Sequence, residues 1–95
     1  MILEADREYL LVGFKQTLKV IEKNDALKVF IARDCEDRMF DTLENAVGGK
    51  GLEVFYLDTM RELGKLCEID KGASCAVVRK HNWLMFISYF VRYNK

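Results

Sequence analysis

The sequence predicts an α/β domain whose helices cover both faces of a central sheet. Short runs of β-branched and aromatic residues alternate with stretches whose apolar residues recur at helical spacing. Glycine, asparagine and aspartate fall at the junctions between them. Ninety-five residues, 51% of them hydrophobic, suffice for one small domain with its own core.

Each element has its own signal. Ile2 to Glu8 reads as a short helix, and Tyr9 to Val12 as a continuous apolar run suited to a buried strand. Gln16 to Lys23 is helical, with Phe14, Leu18 and Ile21 on one side and Lys15, Lys19 and Lys23 stacked at steps of four. Asn24-Asp25 ends that helix with turn chemistry, and Lys28 to Ala32 is the second strand. Asp34 reads as the N-cap of the next helix and Asp37 as a first-turn acid favoured by the helix dipole. Met39, Phe40, Leu43, Ala46 and Val47 share one face of that helix, and Gly48-Gly49-Lys50-Gly51 stops it.

Glu53 to Leu57 is the third strand. Thr59-Met60-Arg61-Glu62 is a capping box that opens a further helix, with Met60, Leu63 and Cys67 as its buried stripe. Gly64 inside that helix costs about 1 kcal/mol against alanine, which either close approach of another backbone or a ligand, or simple tolerance of the glycine, would explain. Ser74 to Val78 is the fourth strand. An extra C-terminal apolar segment follows: Trp83, Phe86, Phe90 and Tyr93 fit an amphipathic helix, while Ile87, Tyr89 and Val91 also permit a strand. The expected organisation is one domain over residues 1–80 and an extension over 81–95.

Fifteen basic and fifteen acidic residues cancel, so only local clustering of charge can favour a nucleic acid. Three cysteines, no CxxC and a single histidine, His81, supply neither a disulfide scaffold nor metal-ligand spacing, and suit a reducing compartment. Cys67 and Cys75 read as small core residues. Glu4, Asp6, Arg7 and Glu8 do not fit a signal peptide. The longest apolar stretch, Trp83 to Phe90, is far short of the ~20 residues of a spanning helix. The expectation is a cytoplasmic protein with no membrane association, no metal and no cofactor.

Catalytic patterns are missing. Ser74 lacks a G-x-S-x-G context, and Asp34 with Asp37 read as helix-start acids rather than paired catalytic carboxylates. Gly48-Gly49-Lys50-Gly51 follows a helix and precedes a strand, the wrong order for cradling phosphate. Binding is better supported. The Gly13 turn opens a helix whose first N–H groups are unpaired and available to anions. Lys15 and Lys19 add positive charge there, and Gln16 adds an amide that both donates and accepts. Ligand sites in open α/β sheets form outside strand ends. This turn should therefore gather with the Asp34 turn and the loop Glu68-Ile69-Asp70-Lys71-Gly72-Ala73, with Lys65 nearby. A basic helix start beside a loop with an apolar tip suits a structured RNA with splayed bases.

Three blocks of residues also carry a family resemblance. Val12-Gly13-Phe14-Lys15-Gln16-Thr17-Leu18-Lys19 resembles V-G-T-K-Q-T-L-K, the signature of the bacterial branch of the kink-turn-binding ribosomal proteins, the L-seven-Ae (L7Ae) family. Val29-Phe30-Ile31-Ala32-Arg33-Asp34 resembles that family's V-V-V-A-K-D. Met60-Arg61-Glu62-Leu63-Gly64-Lys65-Leu66-Cys67, followed by Ile69-Asp70-Lys71-Gly72-Ala73, resembles M-K-K-L-G-K-A-C-G-I-E-V-G-A. The blocks stand in order and at the right spacing over about residues 5 to 79.

The resemblance implies a three-layer α-β-α sandwich on a central four-stranded mixed sheet, a non-enzymatic ribonucleoprotein component that binds kink-turn RNA, ribosomal or free. It also implies roles. Lys15, Gln16 and Lys19 would contact guanine edges of the sheared G·A pairs and nearby phosphates, a contact lysine can make. Gly13 would let the backbone approach the RNA, and Asp34 would support the site by orienting basic side chains. Lys65 would meet a phosphate, and Ile69 with its loop neighbours Asp70 and Lys71 would pack on an extruded nucleotide. The chain departs from the pattern at Phe14 (usually threonine), at Cys35-Glu36-Asp37-Arg38 (usually with proline), at Glu68 (usually glycine, and a source of repulsion) and at Lys71 (usually apolar). An alternative expectation is a protein-interaction module of the same fold that has lost RNA and forms a homodimer through residues 83–93.

Overall fold

The computed structural model describes residues 2–80. The expected helix or strand of the extension, and any homodimer contact through residues 83–93, lie outside the described residues.

A central strand with two apolar faces organises the domain. Side chains alternate along a strand, so Val29 and Ile31 of β2 (Ala26–Ala32) enter one core while Phe30 and Ala32 enter another. β4 (Cys75–Arg79) alternates in the same way, with Cys75 and Val77 on the first side and Ala76 and Val78 on the second. Helices α1 (Phe14–Glu22) and α2 (Asp37–Val47) cover the first face through Val20, Ile21, Leu43 and Val47. Helix α3 (Met60–Leu66) and an N-terminal 3₁₀ helix (Glu4–Tyr9) cover the second through Leu63, Cys67 and Tyr9. The result is the expected three-layer α-β-α arrangement.

The four strands run in the order β1-β4-β2-β3, with β1 at Leu10–Val12 and β3 at Glu53–Leu57. β4 is antiparallel to both neighbours, while β2 and β3 are parallel, with Val29 level with Val54 on one side and Val77 on the other. The sheet is mixed because α2 makes a crossover, which a parallel pair requires. These directions bring the ends of β1, β2 and β3 and the start of β4 to the same end of the sheet.

Several expectations shift. Tyr9 closes the 3₁₀ helix, so β1 begins at Leu10; among the described residues it is a half-buried edge strand paired only with β4, not one buried on both faces. The 3₁₀ helix is pinned by Asp6, which is 1% exposed. Its carboxylate accepts the Leu3 N–H at 3.0 Å and meets Lys28 Nζ at 2.8 Å. A buried charge needs such a partner. Asp34 does not cap α2, whose N-cap is Glu36; Asp37 is the first-turn acid as expected. Met60 is 37% exposed rather than part of the buried stripe, because it stands at the first position of α3 with its side chain over Gly72. Among the described residues, no helix is long and apolar enough to cross a membrane.

Candidate functional site

The Gly13 turn is built by backbone conformation. Gly13 has φ +124°, which disfavours any side chain, although a Cβ there would meet open space. Its N–H donates to the Cys75 carbonyl at 3.1 Å and its own carbonyl accepts from Thr17 at 3.0 Å. That second bond starts the helix, and among the described residues no side chain caps it. The N–H groups of the first turn are therefore left facing outward. Phe14, bulkier than the family's threonine, packs against the core under α1.

Lys15, Gln16 and Lys19 are exposed on α1 and line one groove of about 630 Å³ with Leu11, Val20, Lys23, Asp25 and Arg79. Four cations face one carboxylate there, and that carboxylate already accepts from Arg79 Nε at 2.9 Å. Glu22, at the end of α1, is exposed but does not line the groove, while Glu36, Asp37, Asp41 and Glu44 stand at or on α2 beside Arg38. A chain with zero net charge thus carries a locally basic groove along α1.

The other predicted residues sit at the same end of the sheet. Asp34 accepts the Met60 N–H at 2.7 Å. It orders the start of α3 rather than a basic side chain; the neighbouring Arg33 guanidinium instead lies 4.8 Å from the Tyr56 ring centroid. Tyr56 in turn donates to Glu44 at 2.8 Å, a bond that, with some burial, pushes the phenol's pKa up. Ser74 accepts from Ala32 at 2.9 Å and Ala73 donates to Met60 at 3.0 Å. Together with the bond from Gly13 to Cys75, these contacts tie the Gly13 turn, the Asp34 turn and the 68–73 loop into one surface.

Against that loop, Gly64 of α3 packs directly on the backbone of Lys71 and Gly72, and a Cβ would run into the Lys71 carbonyl. Of the two explanations its place in a helix left open, this is close approach. Ile69 donates its N–H to the Gly64 carbonyl at 3.0 Å and is half-buried against the second core, so it is a shoulder rather than an exposed tip. Lys65, Asp70 and Lys71 are exposed. Glu68 adopts φ +60°, which explains the family's usual glycine. Its carboxylate lies 3.3 Å from Arg7, so its charge is matched locally and the expected repulsion is answered by the 3₁₀ helix.

The sequence reading overlooked Arg79 and the part of Lys23 in the groove. Lys23 continues the register of Lys15 and Lys19; Arg79 joins only because β4 ends beside α1. The cysteines carry no visible chemistry. Burial pushes the Cys35, Cys67 and Cys75 thiols above their usual pKa, which keeps them protonated and unreactive. Among the described residues, no group of His, Cys, Asp and Glu could hold a metal ion.

Residues 3–83 match the Ribosomal protein L7Ae/L30e/S12e/Gadd45 family. RNA-binding protein BH0128 of Halalkalibacterium halodurans is 41% identical over 71 residues, covering 75% of this chain and 87% of that protein. RNA-binding protein TTE2299 of Caldanaerobacter subterraneus subsp. tengcongensis is 43% identical over 65 residues, 68% of this chain and 79% of that one. Among solved structures, the Giardia lamblia 15.5kD RNA binding protein shares the fold with a TM-score of 0.70 at 22% identity, over 88% of this chain and 71% of that one. By sequence match over most of its length, the chain belongs to the Ribosomal protein L7Ae/L30e/S12e/Gadd45 family.

Proposed function

We propose that this chain is a cytoplasmic, non-catalytic RNA-binding protein that grips a kink-turn. The observation that carries the reading is the uncapped start of α1 with Lys15, Gln16 and Lys19 exposed along one groove. Backbone N–H groups and lysines take phosphate, while Lys15, Gln16 and Lys19 reach guanine edges of the sheared G·A pairs. Gly13 gives the backbone room for close approach. Asp34 holds α3 and the following loop in place, so that Lys65 and Lys71 meet phosphate and Ile69, flanked by Asp70, supports an extruded base. The relatives named as RNA-binding proteins support the same reading.

The alternative, an interaction module that has lost RNA, draws on zero net charge, on Glu68 and on the aromatic C-terminal segment, which lies outside the described residues. The basic groove along α1 and the Arg7–Glu68 pair weaken the first two supports. Lys19→Ala should weaken binding to a kink-turn RNA by about 1–3 kcal/mol at fixed salt. An unchanged dissociation constant, with the fold intact, counts against the assigned face.

A further inference from the structure

The groove beside α1 extends beyond the residues that would meet the kink, and its far half has no role in the reading above. Lys15, Lys19 and Lys23 lie one turn apart, so they span about 12 Å of helix axis at about 1.5 Å per residue. Among the described residues none of the three makes an ion pair within 4.0 Å. Across the groove stands Arg79, the last residue of β4. Its Nε donates to Asp25, and Asp25 is itself fixed by its backbone, donating to Val20 at 3.0 Å and accepting from Lys80 at 2.8 Å. The guanidinium is thereby anchored, with four of its five N–H donors outside that bond. Leu11 and Val20 contribute apolar side chains between these walls.

We infer that this groove is a phosphate track, in which Lys23 and Arg79 hold the backbone of one RNA stem as it leaves the kink along α1. The inference rests on the kink-turn reading and extends it. B-form DNA carries one phosphate per strand about every 3.4 Å of axis, and an A-form RNA stem is somewhat more closely spaced, so the lysine stripe spans about four of them. A planar, anchored arginine is suited to take phosphate oxygens in pairs. The partner is the sugar-phosphate backbone, so recognition here should be indifferent to base sequence and sensitive to salt.

The test uses the full chain and three RNAs that share one kink: one with two long stems, and two in which one or the other stem is cut back to the pairs flanking the kink. Lys23 is exposed, so Lys23→Ala and Lys23→Glu should fold normally, which a thermal melt checks. Lys23→Ala should weaken binding of the long-stem RNA about fivefold or more, Lys23→Glu further, and the salt slope should fall by about one. Shortening one particular stem should weaken the wild type and abolish the effect of both substitutions. Equal affinities of wild type and both Lys23 variants for the long-stem RNA, while Lys19→Ala still impairs binding, would overturn the track and leave the kink contact standing. An effect of Lys23→Glu that persists when either stem is shortened would overturn it too, placing Lys23 at the kink. If the wild type binds none of the three RNAs, the kink-turn reading fails and the track with it.

Discussion

The carboxylate of Asp34 and the backbone N–H of Met60 meet at 2.7 Å, joining the turn after β2 to the first residue of α3. Thr59 caps the same helix by accepting from the Glu62 N–H at 3.1 Å. The start of α3 therefore has one cap from its own sequence and a second from a residue 26 positions earlier. Removing the second should loosen the loop that α3 carries. Asp34→Ala should cost about 1 kcal/mol of stability, as loss of a helix cap does. It should also raise amide exchange at Met60 and weaken RNA binding without altering α1. Urea unfolding and site-resolved hydrogen exchange check this; unchanged exchange at Met60 would remove the assigned role.

Gly64→Ala tests the packing of α3 against the 68–73 loop. Alanine favours a helix by about 1 kcal/mol over glycine, so propensity alone predicts a gain. The Lys71 carbonyl and the Gly72 Cα, 3.1 Å from the added Cβ, predict a loss. Backbone must shift to relieve such overlap, and the net effect should be a loss of about 2 kcal/mol in urea unfolding.

Glu68→Gly should act in the opposite direction. A left-handed conformation costs a non-glycine residue about 1–2 kcal/mol, and Glu68 pays it at φ +60°. The lost Arg7 contact is largely solvent-exposed on the Glu68 side, and such pairs contribute about 0–1 kcal/mol. The expected outcome is a net stabilisation of about 0.5–1 kcal/mol. A decrease in melting temperature would mean that the Arg7 contact outweighs the strain.

Alkaline pH should destabilise the domain. Burial raises the thiol pKa of Cys35, Cys67 and Cys75, and the bond to Glu44 raises that of Tyr56. The folded protein thus keeps these protons to higher pH than the unfolded chain does. Stability from this source is complete below the unfolded values, about 8.5 for cysteine and 10 for tyrosine, and is lost as pH rises through the folded ones. Melting temperature should therefore fall as pH climbs above about 8.5, and less steeply in Cys67→Ala. Equal slopes for the two proteins would contradict the assignment to Cys67.

The parts of the fold that were legible in the sequence are those fixed by local pattern. The β-branched and aromatic run Val29-Phe30-Ile31-Ala32 marked a strand, though not that both its faces are buried, and the Thr59 box marked the start of α3. Gly64 left close contact and simple tolerance open, which only the Lys71 backbone against it decides, and the lysine register placed Lys15 and Lys19 on one side. What escaped depended on residues far apart in the chain. Asp34 resembles a local cap but serves Met60 across the sheet end. Arg79 reaches the groove by pairing with Asp25, 54 residues away, and Glu68 meets Arg7 because the 3₁₀ helix packs against β4 on the same face of the sheet as α3. No local pattern encodes such meetings; they follow from strand order.

Titration of the full chain at fixed salt against a kink-turn RNA, and against the same RNA with its sheared G·A pairs replaced by Watson–Crick pairs, tests the central proposal most directly. The account predicts saturable binding to the first and affinity for the second lower by at least about tenfold, the scale of one lost base contact. Equal affinity for both RNAs would contradict recognition of the kink by the α1 turn.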